Sequence, residues 1–135
     1  MSEVQVSKRE ALMAFEQALL SMPQADIPVT HTFCDGMYAR AAFIQAGTAM
    51  SGCIHLQDNL QIMVSGDVTV VTEDIEQRLT GFNIMAGRAG IKRAGYAHAD
   101  TIWVTILRTD LTDVGEIERS LVTNDYAELA KLKGI

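Results

Sequence analysis

Apolar positions recur every three or four residues near the N-terminus of this chain and every two residues through most of the remaining length. Leu12, Phe15, Leu19 and Met22 make one stripe, the period of a helix with a single apolar face. Ser7-Lys8-Arg9-Glu10 opens it as a capping box, with the Ser7 hydroxyl taking the Glu10 N–H, and Pro23 stops it. The stripe is expected to cover the rest of the fold or to dock on a neighbouring subunit.

From Ile27 the period shortens. Ile27 to Phe33 is a β-rich run, Asp35-Gly36 a turn, and Met37 to Ile44 the next strand, with Tyr38, Arg40 and Ala42 on one face. Met50 to Leu56 comes next, then Gln57-Asp58-Asn59 as a polar turn, then Leu60, Ile62 and Val64 in alternation. Ser65-Gly66-Asp67 predicts a tight hairpin into Val68–Thr72, since glycine accepts the positive φ of such turns. Glu73-Asp74 turns into Gln77–Thr80. Gly81, Gly87 and Gly90 punctuate a looser segment around Phe82–Met85, and Ile91–Tyr96 and Thr101–Leu107 complete the set. About eight short strands with turn signals every 8–12 residues predict a sandwich or small barrel. Near the end the pattern is helical again, with Asp113 capping a helix that turns Ile117 and Leu121 inward and Asp125 to Lys133 forming another.

Composition narrows the class. At 135 residues and 48% hydrophobic, the chain supports one domain with a real core. Residues 1–26 are expected as a helical arm, 27–110 as the β-barrel and 111–135 as C-terminal helices. A net charge of −6 argues against nucleic acid, whose phosphates are bound by Lys and Arg. No apolar run reaches the roughly 18 residues of a membrane helix, and the N-terminus lacks a secretion-signal pattern, so neither a membrane nor export is expected. Two cysteines, Cys34 and Cys53, make no disulfide framework.

The stretches GCIHLQDNLQIMVSGDVTVV and AGIKRAGYAHADTIWVTI carry a family resemblance. With Phe33, Gly36, Tyr38 and Arg40, then Ala46-Gly47-Thr48, Gly52 and His55, Gly66, and Gly90 with Lys92 to Ala97, the chain from Pro28 to Val122 resembles the small single-domain cupins. These are RmlC-like jelly rolls, and the nearest in pattern are the cupin-like proteins of tailed phages. The resemblance implies a mainly β, single jelly-roll fold. It also implies where a metal would sit: metal-binding cupins supply two histidines and a carboxylate from the first motif and a further histidine from the second. The phage-type pattern has a second histidine four residues after the first, where this chain has Asn59, and an acidic residue where it has Ala99 before Asp100.

Those departures shape the functional expectation. A transition metal wants three or four N, S or O donors, and the chain holds three histidines: His31, His55 and His98. A site of these three with Asn59 assisting, holding one divalent transition metal, is the alternative reading, that of a metal-dependent or small-molecule-binding cupin using His55 and His98. The preferred reading has no cofactor and no catalytic residue. It is a degenerate cupin serving as a structural or interaction subunit, a homo-oligomer expected as a phage virion component in capsid decoration or the tail, found in the virion or host cytoplasm. Cys53 reads as a small core residue. Lys92 and Arg93 can anchor an anion or pair with acidic groups on a neighbour. Gly81–Gly87 lacks phosphate-loop spacing, and no G-x-S-x-G elbow occurs.

Overall fold

The computed structural model describes residues 7–123 and residue 126. The predicted helix is α1 (Lys8–Leu20), with the Ser7 hydroxyl accepting from the Glu10 N–H at 3.1 Å as its N-cap. The β region resolves into β1 (Val29–Cys34), β2 (Met37–Ile44), β3 (Ala49–Ser51), β4 (Ile54–His55), β5 (Asn59–Ser65), β6 (Asp67–Val71), β7 (Glu76–Thr80), β8 (Asn83–Gly87), β9 (Ala94–Ala97) and β10 (Thr101–Arg108). Helix α2 (Val114–Leu121), capped by Asp113 with Ile117 buried, and β11 (Val122–Thr123) come last. The further helix expected at Asp125–Lys133 lies outside the described residues, Tyr126 apart.

Two antiparallel sheets carry the fold, one in the order β1-β2-β10-β5-β8 and the other β3-β9-β6-β7, with β4 and β11 forming a short separate ladder. Few neighbours in sequence are neighbours in a sheet. The β1–β2 hairpin is one exception, turned by Asp35 at φ 43° and Gly36 at φ 76°, the two positive angles a two-residue hairpin needs. The β6–β7 pair is the other. Elsewhere the chain crosses from sheet to sheet, as the jelly-roll expectation requires.

That crossing corrects the hairpin expected at Ser65-Gly66-Asp67. Strand β5 bonds to β10 and β8, whereas β6 bonds to β7 and β9, so Gly66 is the corner where the chain changes sheets. Its φ is 128°, and a Cβ there would run into the Thr101 side chain and backbone. The looser segment around Phe82–Met85 is also corrected. It is β8, an edge strand paired along its length with β5.

The phase of β5 is the third departure. Asn59, Gln61 and Met63 point inward and are buried, while Leu60 and Val64 of the apolar alternation are exposed on the outside. Asn59 is thus the first residue of a strand and no part of a turn. One core, of Ala42, Ile44, Met63, Val68, Val70, Leu79 and Ala97, fills one end between the sheets. At the other end α2 lays Ile117 on Tyr38 and Leu107. Helix α1 packs on its own chain against β3 and β9, the first of the two placements open to it. Buried Lys92 holds it there, donating to Glu16 of the helix and to the Gly52 carbonyl, each at 2.9 Å.

Candidate functional site

Between the two packed ends the sheets leave a cavity of about 590 Å³. Three strands of the larger sheet build its polar wall. Alternation on β2 turns Tyr38, Arg40 and Ala42 to one side, and the β2–β10–β5 register sets Thr105 between Arg40 and Gln61. The Gln61 amide oxygen accepts from the Trp103 indole at 2.6 Å and from the Thr105 hydroxyl at 2.9 Å. Its amide nitrogen donates to the Asn59 side-chain oxygen at 2.6 Å, and Asn59 donates in turn to the Gln57 carbonyl. Each buried polar group of this network therefore has a partner, the condition for keeping polar groups out of water. A Cβ at Gly87 would run into the Asn59 amide, so glycine leaves room for the network's edge.

The opposite wall brings His55, Cys53 and Arg93 to the same cavity. His55 lies on β4, paired with Val122, and its carbonyl accepts from the Gly90 N–H. Its Nδ1 is buried with no hydrogen-bond partner. Burial first, and then the positive charges of Arg93 and Arg40, push its pKa down to about 4, so the ring is neutral at pH 7. Burial likewise raises the Cys53 thiol, the opposite of nucleophile activation. Lys92 and Arg93 part company here: Lys92 turns to the helix, and Arg93 faces the cavity. Among the described residues neither Arg93 nor Arg40 forms an ion pair or a side-chain hydrogen bond. Exposed residues on the lining, among them Arg40, Gly52 and Glu118, mark where the cavity opens.

The three histidines do not converge, which corrects the alternative ligand set. His31 lies on β1, exposed, with Nδ1 2.6 Å from the Tyr38 hydroxyl. His98 is an exposed corner residue whose Nε2 meets the Thr69 hydroxyl at 2.7 Å, away from the cavity lining. Asn59 is spent on Gln57 and Gln61 and faces no metal-holding group. Among the described residues no three His, Cys, Asp or Glu side chains come together as a metal site. An imidazole between two guanidiniums suits a cation poorly, so the residues present do not fit a divalent metal.

Sequence reasoning named His55 but gave no site role to Arg40, Gln61, Trp103 or Thr105. One signal for them was present: Asn59 and Gln61 alternate with Leu60, Ile62 and Val64, and either phase of an alternating strand can face inward.

No protein-family model and no curated protein sequence matches the chain. Solved structures do match it in shape. A cupin superfamily protein from Desulfitobacterium hafniense DCB-2 superposes with a TM-score of 0.55 at 12% identity, over 66% of this chain and 83% of its own. KdgF from Halomonas sp. gives 0.55 at 14% identity, over 64% and 82%. An RmlC-like cupin from Shewanella frigidimarina NCIMB 400 gives 0.53 at 13% identity, over 67% and 88%. Likeness at these identities establishes a cupin fold and carries no activity with it.

Proposed function

We propose that this cupin-fold chain is a non-catalytic small-molecule-binding protein whose ligand enters the cavity between the sheets. The cavity itself carries the reading. About 590 Å³ lies within the range of metabolite sites, and its wall mixes an apolar floor of Ala42, Ile44, Val68 and Val70 with a few convergent polar groups. A jelly roll used only as a building block would gain by filling that volume with packed side chains. Catalysis is left out because the cavity's thiol is held protonated and its imidazole has no partner to activate. The chain's one tryptophan, Trp103, lines the cavity, so its emission reports on occupancy. Metabolite-sized compounds are expected to shift that emission and raise the melting temperature. A broad panel that moves neither, or purified protein carrying near-stoichiometric iron, manganese, nickel or zinc, defeats this reading.

A second reading, the structural subunit, is favoured by a different observation. The outer face of the five-stranded sheet is apolar almost throughout, with Ala39, Ala41 and Phe43 of β2, Ile102, Val104 and Ile106 of β10, Leu60, Ile62 and Val64 of β5, and Ile84 of β8. These four strands, about 4.8 Å apart and some six residues long, cover roughly 400 Å² per copy. Two such faces approach the roughly 1,000 Å² of a biological interface, and a monomer seldom leaves such a patch open. A second copy suits it, because this face carries no carboxylate and a single charge, Arg108 at its end, so two chains of net charge −6 meet without carboxylates opposed. The virion setting, and the choice between virion and host cytoplasm, rest on the resemblance to phage-encoded cupin-like proteins. Light scattering tests the assembly: a dimer that Val104→Lys converts to monomer supports it, and a wild-type monomer at micromolar concentration rejects it.

A further inference from the structure

We infer that the cavity's ligand is a small oxyanion, a carboxylate or a phosphate ester, held by the guanidiniums of Arg40 and Arg93 beside the His55 ring. The inference rests on the small-molecule reading and names its chemistry.

Charge is the first argument. The molecule carries net charge −6, yet its cavity lining holds two arginines against one carboxylate, Glu118. Of the seven other cations among the described residues, Arg9, Arg78, Arg88 and Lys92 each meet an acidic partner within 4 Å, and Lys8, Arg108 and Arg119 are exposed away from the cavity lining. Arg40 and Arg93 meet no such partner, and Glu118, itself exposed at the opening, lies beyond ion-pair reach of both. While Arg40 stands at the opening, the half-buried Arg93 guanidinium, facing this space without an anion, loses hydration that nothing among the described residues returns. An incoming carboxylate or phosphate would restore it through paired N–H···O contacts, for which the guanidinium fork is shaped.

Histidine supplies the second argument. His55 sits in the field of both arginines, which with burial keeps it uncharged. A neutral imidazole near two cations adds no repulsion among the wall groups. Tyr38, Thr105 and Gln61 line the wall that carries Arg40, across the cavity from His55, so the body of the ligand meets hydroxyl and amide groups there.

The test pairs each anion with its neutral counterpart: succinate with succinamide, and glucose 6-phosphate with glucose. Binding is read from Trp103 emission and from the melting temperature, in wild type and in Arg40→Met, Arg93→Met, Arg93→Lys and Glu118→Gln, each checked for its fold by circular dichroism. At least one anion is expected to bind tenfold or more tightly than its neutral counterpart. Each Met variant should weaken it by about tenfold or more, as loss of a charge-assisted hydrogen bond does. Arg93→Lys should retain part of the affinity, and Glu118→Gln should leave it equal or stronger. Which pair discriminates tells carboxylate from phosphate. Neutral compounds binding as well as the anions, unchanged by the arginine substitutions, would overturn the anion inference and leave the small-molecule reading standing. Failure of all four compounds at millimolar concentration would overturn the inference, and failure of the broad panel as well would take the small-molecule reading with it.

Discussion

The two faces of the five-stranded sheet depart from those of the usual half-buried sheet. The interior one mixes polar groups with core residues such as Ala42 and Met63, and the exterior one is largely apolar. Toward the interior stand Gln61 at 3% exposure, Asn59 and Thr105 at 9%, and cavity-lining Arg40, while Leu60 at 46% and Ile84 at 60% face outward. A sheet of this kind normally turns its apolar phase to the core. Here the interior face borders a cavity, so its polar groups either bond to one another, as around Gln61, or have no side-chain partner among the described residues, as at Arg40. The exterior face has no such internal satisfaction and gains by contact with another apolar surface. Each face thus points to a binding event of a different kind.

Gln61→Ala should break the contrast most. It strands the Trp103 indole, the Thr105 hydroxyl and the Asn59 carbonyl at once, a loss of about 2–4 kcal/mol by urea denaturation. Gln61→Leu should cost a similar amount, since it too removes every partner, and a near-neutral result for both would show that the network adds little.

The next effect is in pH. His55 has a folded pKa of about 4 against an ordinary value of 6.5. As pH falls through that window the unfolded chain takes up its proton first, so stability is full above pH 6.5 and declines toward pH 4. The decline attributable to this ring is on the order of 2 kcal/mol. His55→Gln should flatten the wild-type slope between those limits, and parallel slopes would show that the ring is solvated in the folded state.

The smallest effect on folding belongs outside. Ile62→Lys or Val104→Lys should alter the stability of an isolated chain by only about 0.5 kcal/mol, the scale of surface changes. The same substitutions should shift the mass measured by light scattering. If they instead unfold the chain, the outer face is part of its own core.

Local signals were legible in the sequence. The Ser7 and Asp113 caps, the Asp35-Gly36 hairpin and the alternation on β2 depend on neighbours in sequence, and all stand in the structure. What stayed hidden depends on distant pairing. Alternation at Leu60–Val64 defines two faces and leaves open which one is inside. Gly66 resembled a hairpin glycine because a sheet-changing corner makes the same demand on φ. The arginines of the cavity come from positions far apart in the chain, Arg40 on β2 and Arg93 just before β9, and only folding brings them to one cavity. His55 was found because imidazole draws notice, and its expected partners do not reach it because Tyr38 holds His31 on β1 and Thr69 holds His98 at a corner.

The ion pair between Lys92 and Glu16 has a bearing on how the chain can be divided. With its ammonium fully enclosed, Lys92 depends on the helix for its counter-charge. Trimming the first twenty or so residues would remove more than an appendage, because it would leave a cation walled in beside the Gly52 carbonyl. That lysine would then pull its segment toward water, and Arg93 would move with it. The arm and the cavity are therefore one unit, and a shortened form would be altered at its site before anything touched the site directly.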